Sequence, residues 1–325
     1  MKRSGWIAVA IAVILLVLLP WVASDYLLTL MIPFFAYGIA LLGLNLLFGY
    51  TGLLSFGHAM FVGIGAYANA VITSKLGFKS FELAILAGVV AAVIVALPLG
   101  LLAVRYTKIF FGMLTLAFGM LFHSFLFKFY DVTGGDGGMR VLRPSLGGQS
   151  FESLDKTAFL IGPFYFYCLA LLIVMAIFMW RFVHSPFGLH LRALRENARK
   201  AEYLGVQVRR FRLVAFVVSA VYCAIGGAII AVPTGLADPE LAYWTHSGNL
   251  IFMMVLGGFA NFFGPIIGAL AFIQLQDHLM SLTQYWRFFL GAILALIVIA
   301  FPRGLTGLAI DLFNRLRTPT PGAMP

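Results

Sequence analysis

Ser55 and His58 stand three residues apart in Gly49-Tyr-Thr-Gly-Leu-Leu-Ser-Phe-Gly-His58, close enough for a histidine to serve as base to a serine hydroxyl. No carboxylate is obviously placed to orient that histidine, and the chain has no HExxH, no GxSxG and no His/Cys cluster with zinc spacing. The sequence therefore offers no catalytic residue and no metal site, and His123 reads as a buried or interface histidine. The same stretch has another use. Five glycines over 49–65 weaken a continuous helix. Inside a bilayer, irregular backbone is tolerated only where protein or a watery cavity satisfies it. Asn45, Gly49, Gly52, Ser55, Gly57 and His58 are thus candidates for lining a solute pathway, with close packing through small residues as the alternative. A second interruption lies in the other half of the chain, where Gly257, Gly258, Asn261, Gly264, Pro265 and Gly268 punctuate an apolar run over 249–275. Paired interruptions point to a substrate site or gate, which adds Gly257 and Gly258 to the pathway candidates. Thr133, Gly134, Gly135 and Asp136, followed by Gly137 and Gly138, make a turn on the outer side, in which Asp136 reads as a turn residue.

One hydrophilic stretch, 181–212, carries eight Lys/Arg against two acids. Its middle, 189–205, has the period of an amphipathic helix, with Leu194, Ala198, Ala201 and Gly205 on one face and Arg192, Arg195, Glu196 and Arg199 on another. Ser185 followed by Pro186 marks a start. A basic loop alone sets topology. A small-residue stripe at helical spacing is more than topology requires, and it suits a helix docked in a groove of a partner.

The elements that must position these residues are membrane helices. Apolar residues make up 62% of the 325, charged residues 10%, and the mean hydropathy is +1.00, so the chain is expected to be an all-α, polytopic membrane protein. Spans are predicted over 6–23, 27–48, 53–74, 83–104, 109–127, 159–180, 213–232 and 285–301, with 249–275 as a broken or hairpin pair. The first could also be read as a signal peptide; an uncleaved span is favoured because another follows almost at once. The net charge of +10 matters by its distribution and does not imply nucleic acid. Placing both termini, 105–108 and 181–212 on the cytoplasmic side gives that side 15 basic and 3 acidic residues, and the other side 7 and 9. Eight crossings follow if 249–275 re-enters from one side, ten if it crosses twice. The whole of 1–325 reads as one domain, with a disordered tail at 318–325 containing three prolines. Cys168 and Cys223 fall in apolar runs and read as packing residues.

Energetics narrow the function. The span centres are free of charge, so a built-in coupling-ion site is not expected, and GxxxxGK[ST] is absent. Either the pore is passive or another chain supplies the energy.

At Gly49 to Ala59, Thr133 to Gly137, Ser185-Pro-Phe-Gly188, Leu191-Arg-Ala-Leu-Arg-Glu-Asn197, Ala201-Glu-Tyr-Leu-Gly205, and Leu256-Gly-Gly258 with Gly264-Pro265, the chain resembles the LivM-type permeases of bacterial branched-chain amino-acid ABC importers. The wider LivH/LivM group also serves urea, short amides and some aromatic acids. The resemblance covers nearly the whole chain and implies a lipid-embedded, multi-pass permease of the bacterial inner membrane. It would pair with a second, LivH-like permease and stand above two cytoplasmic ABC ATPase subunits, which would hold ATP and Mg. A periplasmic binding protein would deliver a small-molecule substrate. On this resemblance Arg195, Glu196, Asn197, Ala201, Glu202 and Gly205 belong to the helix that couples to the ATPase, and the chain itself is neither an enzyme nor a cofactor carrier. Branched-chain amino acids are the expected solute, with urea or amides as the alternative. A stand-alone channel or secondary carrier is the alternative of another class. Two departures stand out: Gly138 replaces a larger apolar residue, and there is no fused ATPase.

Overall fold

The computed structural model describes residues 3–151, 153–301 and 304–308, with side chains from residue 9 onward. Arg303 and the tail expected to be disordered at 318–325 lie outside the described residues. Helix α1, Arg3–Leu18, ends at a turn containing Pro20. The Ser24 hydroxyl then accepts from the Leu27 amide (3.4 Å) and caps α2, Asp25–Asn45. The last turn of α2, Leu46–Tyr50, widens to a π-helix, and residues 51–58 follow without regular helix. Helix α3 is Ala59–Ala70, also ending in a wide turn, Val71–Lys75. Ser80 caps α4, Phe81–Ala103, and α5 is Ile109–Lys128. Next come α6, Tyr130–Thr133, and strand β1, Met139–Arg140. Helix α7, Lys156–Phe159, runs through a wide turn into α8, Tyr165–Val183. Then follow α9, Pro186–Tyr203; α10, Val208–Thr234; and β2, Leu236–Ala237. The chain continues through α11, Trp244–Gly257; α12, Gly264–Leu282; and α13, Trp286–Ala300, with a further helical turn over 304–308.

Five of these helices are long and apolar enough to cross a membrane. In the stretches Asp25–Tyr50 and Val208–Thr234, 72% of the apolar window is buried, against 22–33% for the spans through α4, α5 and α8, so α2 and α10 are the central pair. Helix α10 packs on α2, α3 and α4. The approach to α3 is a backbone contact: a side-chain carbon at Gly227 would fall 1.9 Å from the Val62 carbonyl oxygen, and one at Gly65 1.8 Å from that of Ala224. On α4, by contrast, Leu86, Val90, Ile94 and Leu101 point outward, as apolar side chains in a bilayer do. Cys168 and Cys223 are unpaired and buried, as packing residues.

Contacts sort the helix ends into two groups. At one end Tyr26 donates to Asp277, Lys75 to the carbonyl of Val132 (2.6 Å), and β1 pairs antiparallel with β2. At the other end lie Gly49, α9, the α11–α12 turn and Gly304. The stretch 249–275 forms a hairpin of α11 and α12. The span expected over 213–232 begins earlier, at Val208, because backbone helix continues through Arg209, Arg210 and the buried Arg212, where hydropathy stops.

Candidate functional site

Each break must satisfy backbone groups that a helix would otherwise pair. In the first, the Thr51 hydroxyl bonds back to the Leu47 carbonyl, and the Leu53 amide reaches the same oxygen (3.1 Å). Gly52 adopts φ +74°. The Ser55 hydroxyl lies 2.6 Å from His58 Nδ1 and accepts from the Gly57 amide (3.4 Å), while the Ser247 hydroxyl of α11 accepts from the Ala59 amide (3.0 Å) at the start of α3. His58 is wholly buried, its ring edge-on to Phe61 (5.5 Å) and Phe216 (5.4 Å). The Ser–His spacing that could have been catalytic is thus a fastening for the start of α3. Gly57 touches α5 so closely that a side-chain carbon would lie 1.9 Å from the Thr115 carbonyl oxygen. Ser55, Gly57, Thr115, Phe118 and Phe216 line a narrow crevice there. Of the pathway candidates in this half, Asn45, Gly49, Ser55, Gly57 and His58 are buried within the chain and Gly52 is exposed. The Asn45 Oδ1 faces Gly49 and has no hydrogen-bond partner.

The second break, 258–263, is the α11–α12 turn. The arms meet backbone to backbone: a side-chain carbon at Gly257 would fall 1.9 Å from the Gly264 carbonyl oxygen, and one at Gly268 1.9 Å from that of Met253. The turn itself is gripped from neighbouring elements. Phe259 packs edge-on to Phe48 at the end of α2 (4.7 Å), and Trp180 of α8 packs on Phe262 (4.9 Å) and Phe263 (6.0 Å).

Between the two breaks lies α9. Ser185 and Pro186 start it, as the sequence predicts, and Gly188 sits against the Val183 carbonyl, which sets a tight corner after α8. Its buried face is Gly188, Leu191, Leu194 and Ala201; Ala198 is half-buried. The single helix expected over 189–205 is two pieces. Asn197 leaves helical geometry (φ −156°, ψ 98°), and its Oδ1 accepts from the Lys200 amide (3.0 Å), so it caps a second short helix. Gly205 lies beyond the helix and not on its packed face. With φ +86° it stops the second piece through bonds from Val206 to the Ala201 carbonyl (3.1 Å) and from its own amide to the Glu202 carbonyl (2.9 Å).

Arg195 is exposed, as its face of the helix implies, and its side chain also reaches back to the first break. Its Nη1 donates to the Gly49 carbonyl, its guanidinium lies 5.5 Å from the centre of the Phe259 ring, and Gly52 leaves room for its stem. Arg192 similarly covers Tyr50 (5.2 Å). The physical reason is that the end of α2 leaves carbonyls without helical partners, and a guanidinium supplies donors to them. One side chain thus touches both helix breaks. Glu196 and Glu202 are exposed, as are Leu189, Tyr203 (88%) and Leu204 (85%). Tyr203 and Leu204 are docking candidates that the sequence reading missed; two large apolar residues before a glycine stop in a basic stretch were the available signal.

The turn over 133–138 is built rather than loose. The Thr133 hydroxyl is buried, within 2.8 Å of the Phe129 carbonyl, and accepts from the Gly135 amide (3.3 Å); Gly134 is left-handed and Asp136 is exposed. Gly138 has φ +64° and leaves only 2.5 Å between a would-be side-chain carbon and the Ala237 carbonyl, where β1 meets β2. A larger residue at 138 would not fit this pairing.

The family model for the branched-chain amino acid transport system permease component matches residues 26–298. The chain is 29% identical over 286 residues to the high-affinity branched-chain amino acid transport system permease protein LivM of Escherichia coli, covering 83% of this chain and 67% of that protein. It is 26% identical over 291 residues to the corresponding LivH protein of Salmonella typhimurium, covering 83% and 91%. No solved structure matches the chain. With a family match across most of its length and a bundle of apolar helices, the chain belongs to the branched-chain amino acid transport permeases and is a multi-pass, LivM-type permease subunit of an ABC importer.

Proposed function

We propose that this chain moves branched-chain amino acids into the cytoplasm across the bacterial inner membrane. It acts as one member of a pair with a LivH-like permease. Two cytoplasmic ATPase subunits hold the ATP and Mg, since the chain lacks a phosphate-cradling GxxxxGK[ST] loop, and a periplasmic binding protein delivers the solute. Both termini and α9 lie on the cytoplasmic side, in keeping with the excess of basic residues there. The relatives' names support the solute, and span centres free of charge suit a zwitterion.

The observation that carries the mechanism is Arg195. Helix α9 offers Tyr203 and Leu204 outward for an ATPase groove, and the exposed Arg195 reaches back with its guanidinium to the ends of both broken helices. A push on α9 from below then reaches Gly49 and Phe259 together, and the two breaks shift as a unit. Asn45, Ser55, Gly57 and His58 shape the passage by packing; Gly257 and Gly258 supply the articulation. Affinity purification of the chain from its native membrane tests the assembly. Recovery of two ATPase subunits and a second permease is expected, with ATP-driven uptake of leucine exceeding that of urea or amides in liposomes. Recovery of the chain alone, with solute flux independent of ATP, would contradict the proposal and favour a channel.

A further inference from the structure

Helix α11 ends at Gly257, where the Gly258 amide donates to the Met254 carbonyl (3.0 Å) and the carbonyls beyond it have no further turn of helix to pair with. Gly258 has φ 99° and ψ 100°, outside the left-handed geometry that closes a helix locally. The terminal carbonyls of α11 therefore need donors from elsewhere. One comes from far along the chain. The Thr306 hydroxyl donates to the Gly257 carbonyl (2.7 Å) and accepts from Asn261 Nδ2 in the turn (3.1 Å), so a single buried hydroxyl ties the helix end to its own loop. Gly304 brings it there. With φ +69°, it passes so close to Gly258 that a side-chain carbon would lie 2.5 Å from the Gly258 nitrogen.

The helix that precedes this segment lies at the edge of the bundle. Along α13 only Leu290 and Leu294 are buried, while Phe288, Leu296 and Ile299 point outward. A permanent cap would more simply be local. A remote cap on a peripheral helix can be made and released as a unit.

We propose that residues 304–308 are a latch on the α11–α12 turn. Thr306 acts as a positioning residue that keeps the turn in the arrangement where Phe259 meets Arg195, so that movement of α9 is transmitted to the hairpin. This rests on the coupling reading above.

The test uses the complete transporter in liposomes, with binding protein and leucine, comparing wild type with Thr306→Val, Thr306→Ser and Asn261→Ala. Hydrogen exchange of the 258–263 amides is followed in the same proteins. In Thr306→Val these amides should exchange about fivefold faster, and leucine moved per ATP hydrolysed should fall about fivefold while hydrolysis continues. Thr306→Ser should restore both, and Asn261→Ala should reproduce both without adding to Thr306→Val. Unchanged exchange would overturn the latch. So would faster exchange with a wild-type ratio of uptake to hydrolysis, which is the result of a purely structural cap. A wild-type complex that hydrolyses ATP without any uptake would instead overturn the importer reading, and the coupling role of the latch with it.

Discussion

The break at 51–58 and the break at 258–263 both use glycine to interrupt a span, yet the first is fastened by hydroxyl bonds and a backbone contact and the turn of the second is gripped by side chains. Ser55 and His58 bond to each other in the first, Ser247 of α11 accepts from the amide that starts α3, and Gly57 lies directly on the α5 backbone. The second is reached by Phe48 of α2, Trp180 of α8, Arg195 of α9 and Thr306. Interior packing at backbone distance leaves no slack. A turn held by side chains from four separate elements can follow whichever of them moves. The comparison therefore assigns rigidity to the first break and transmission to the turn of the second, with Arg195 and the Phe48–Phe259 contact linking the ends of both.

Four variants break or sharpen that contrast, in order of expected size. Gly57→Ala pushes a carbon into the Thr115 carbonyl and should cost about 3 kcal/mol or more. Its expected signature is loss of folded protein in the membrane; a normally folded variant would show that α5 can retreat, and the first break would not be rigid. Tyr203→Ala with Leu204→Ala should weaken ATPase binding by about 2 kcal/mol, roughly thirtyfold, while leaving thermal unfolding of the isolated chain unchanged. Titration of ATPase subunits against the purified permease pair measures this. Arg195→Ala should lower transport about tenfold with folding retained, since it removes one charge-assisted hydrogen bond and one ring contact. Asn197→Ala removes a cap worth about 1 kcal/mol. It should loosen only residues 198–203, seen as faster hydrogen exchange there and at neither break.

Much of this architecture could be read directly. The spans were legible because hydropathy and length are enough to mark a bilayer crossing, and the breaks because glycine clusters have few other uses there. Ser185 and Pro186 announced α9. The site was less legible, because its contacts join residues far apart in sequence. Arg195 meets a carbonyl 146 residues away, a partner no periodicity reveals. Asn197 sits in a good amphipathic pattern, which hides the fact that it caps a new helix. Gly205 matched a packed face by spacing and is instead a helix stop. Thr306 lies past the last apolar run, where nothing in composition distinguishes a helix cap from an ordinary terminus.

The most direct test of the account is the number of leucine molecules imported per ATP hydrolysed by the assembled transporter in liposomes, measured for wild type, Arg195→Lys and Arg195→Ala. Lysine keeps the charge but loses the planar stack and the guanidinium geometry. The account predicts continued ATP hydrolysis with the ratio falling about tenfold in Arg195→Ala and by an intermediate factor in Arg195→Lys, the permease remaining folded and bound to its ATPases. A wild-type ratio in Arg195→Ala would contradict it, because the two breaks would then move together without the guanidinium link.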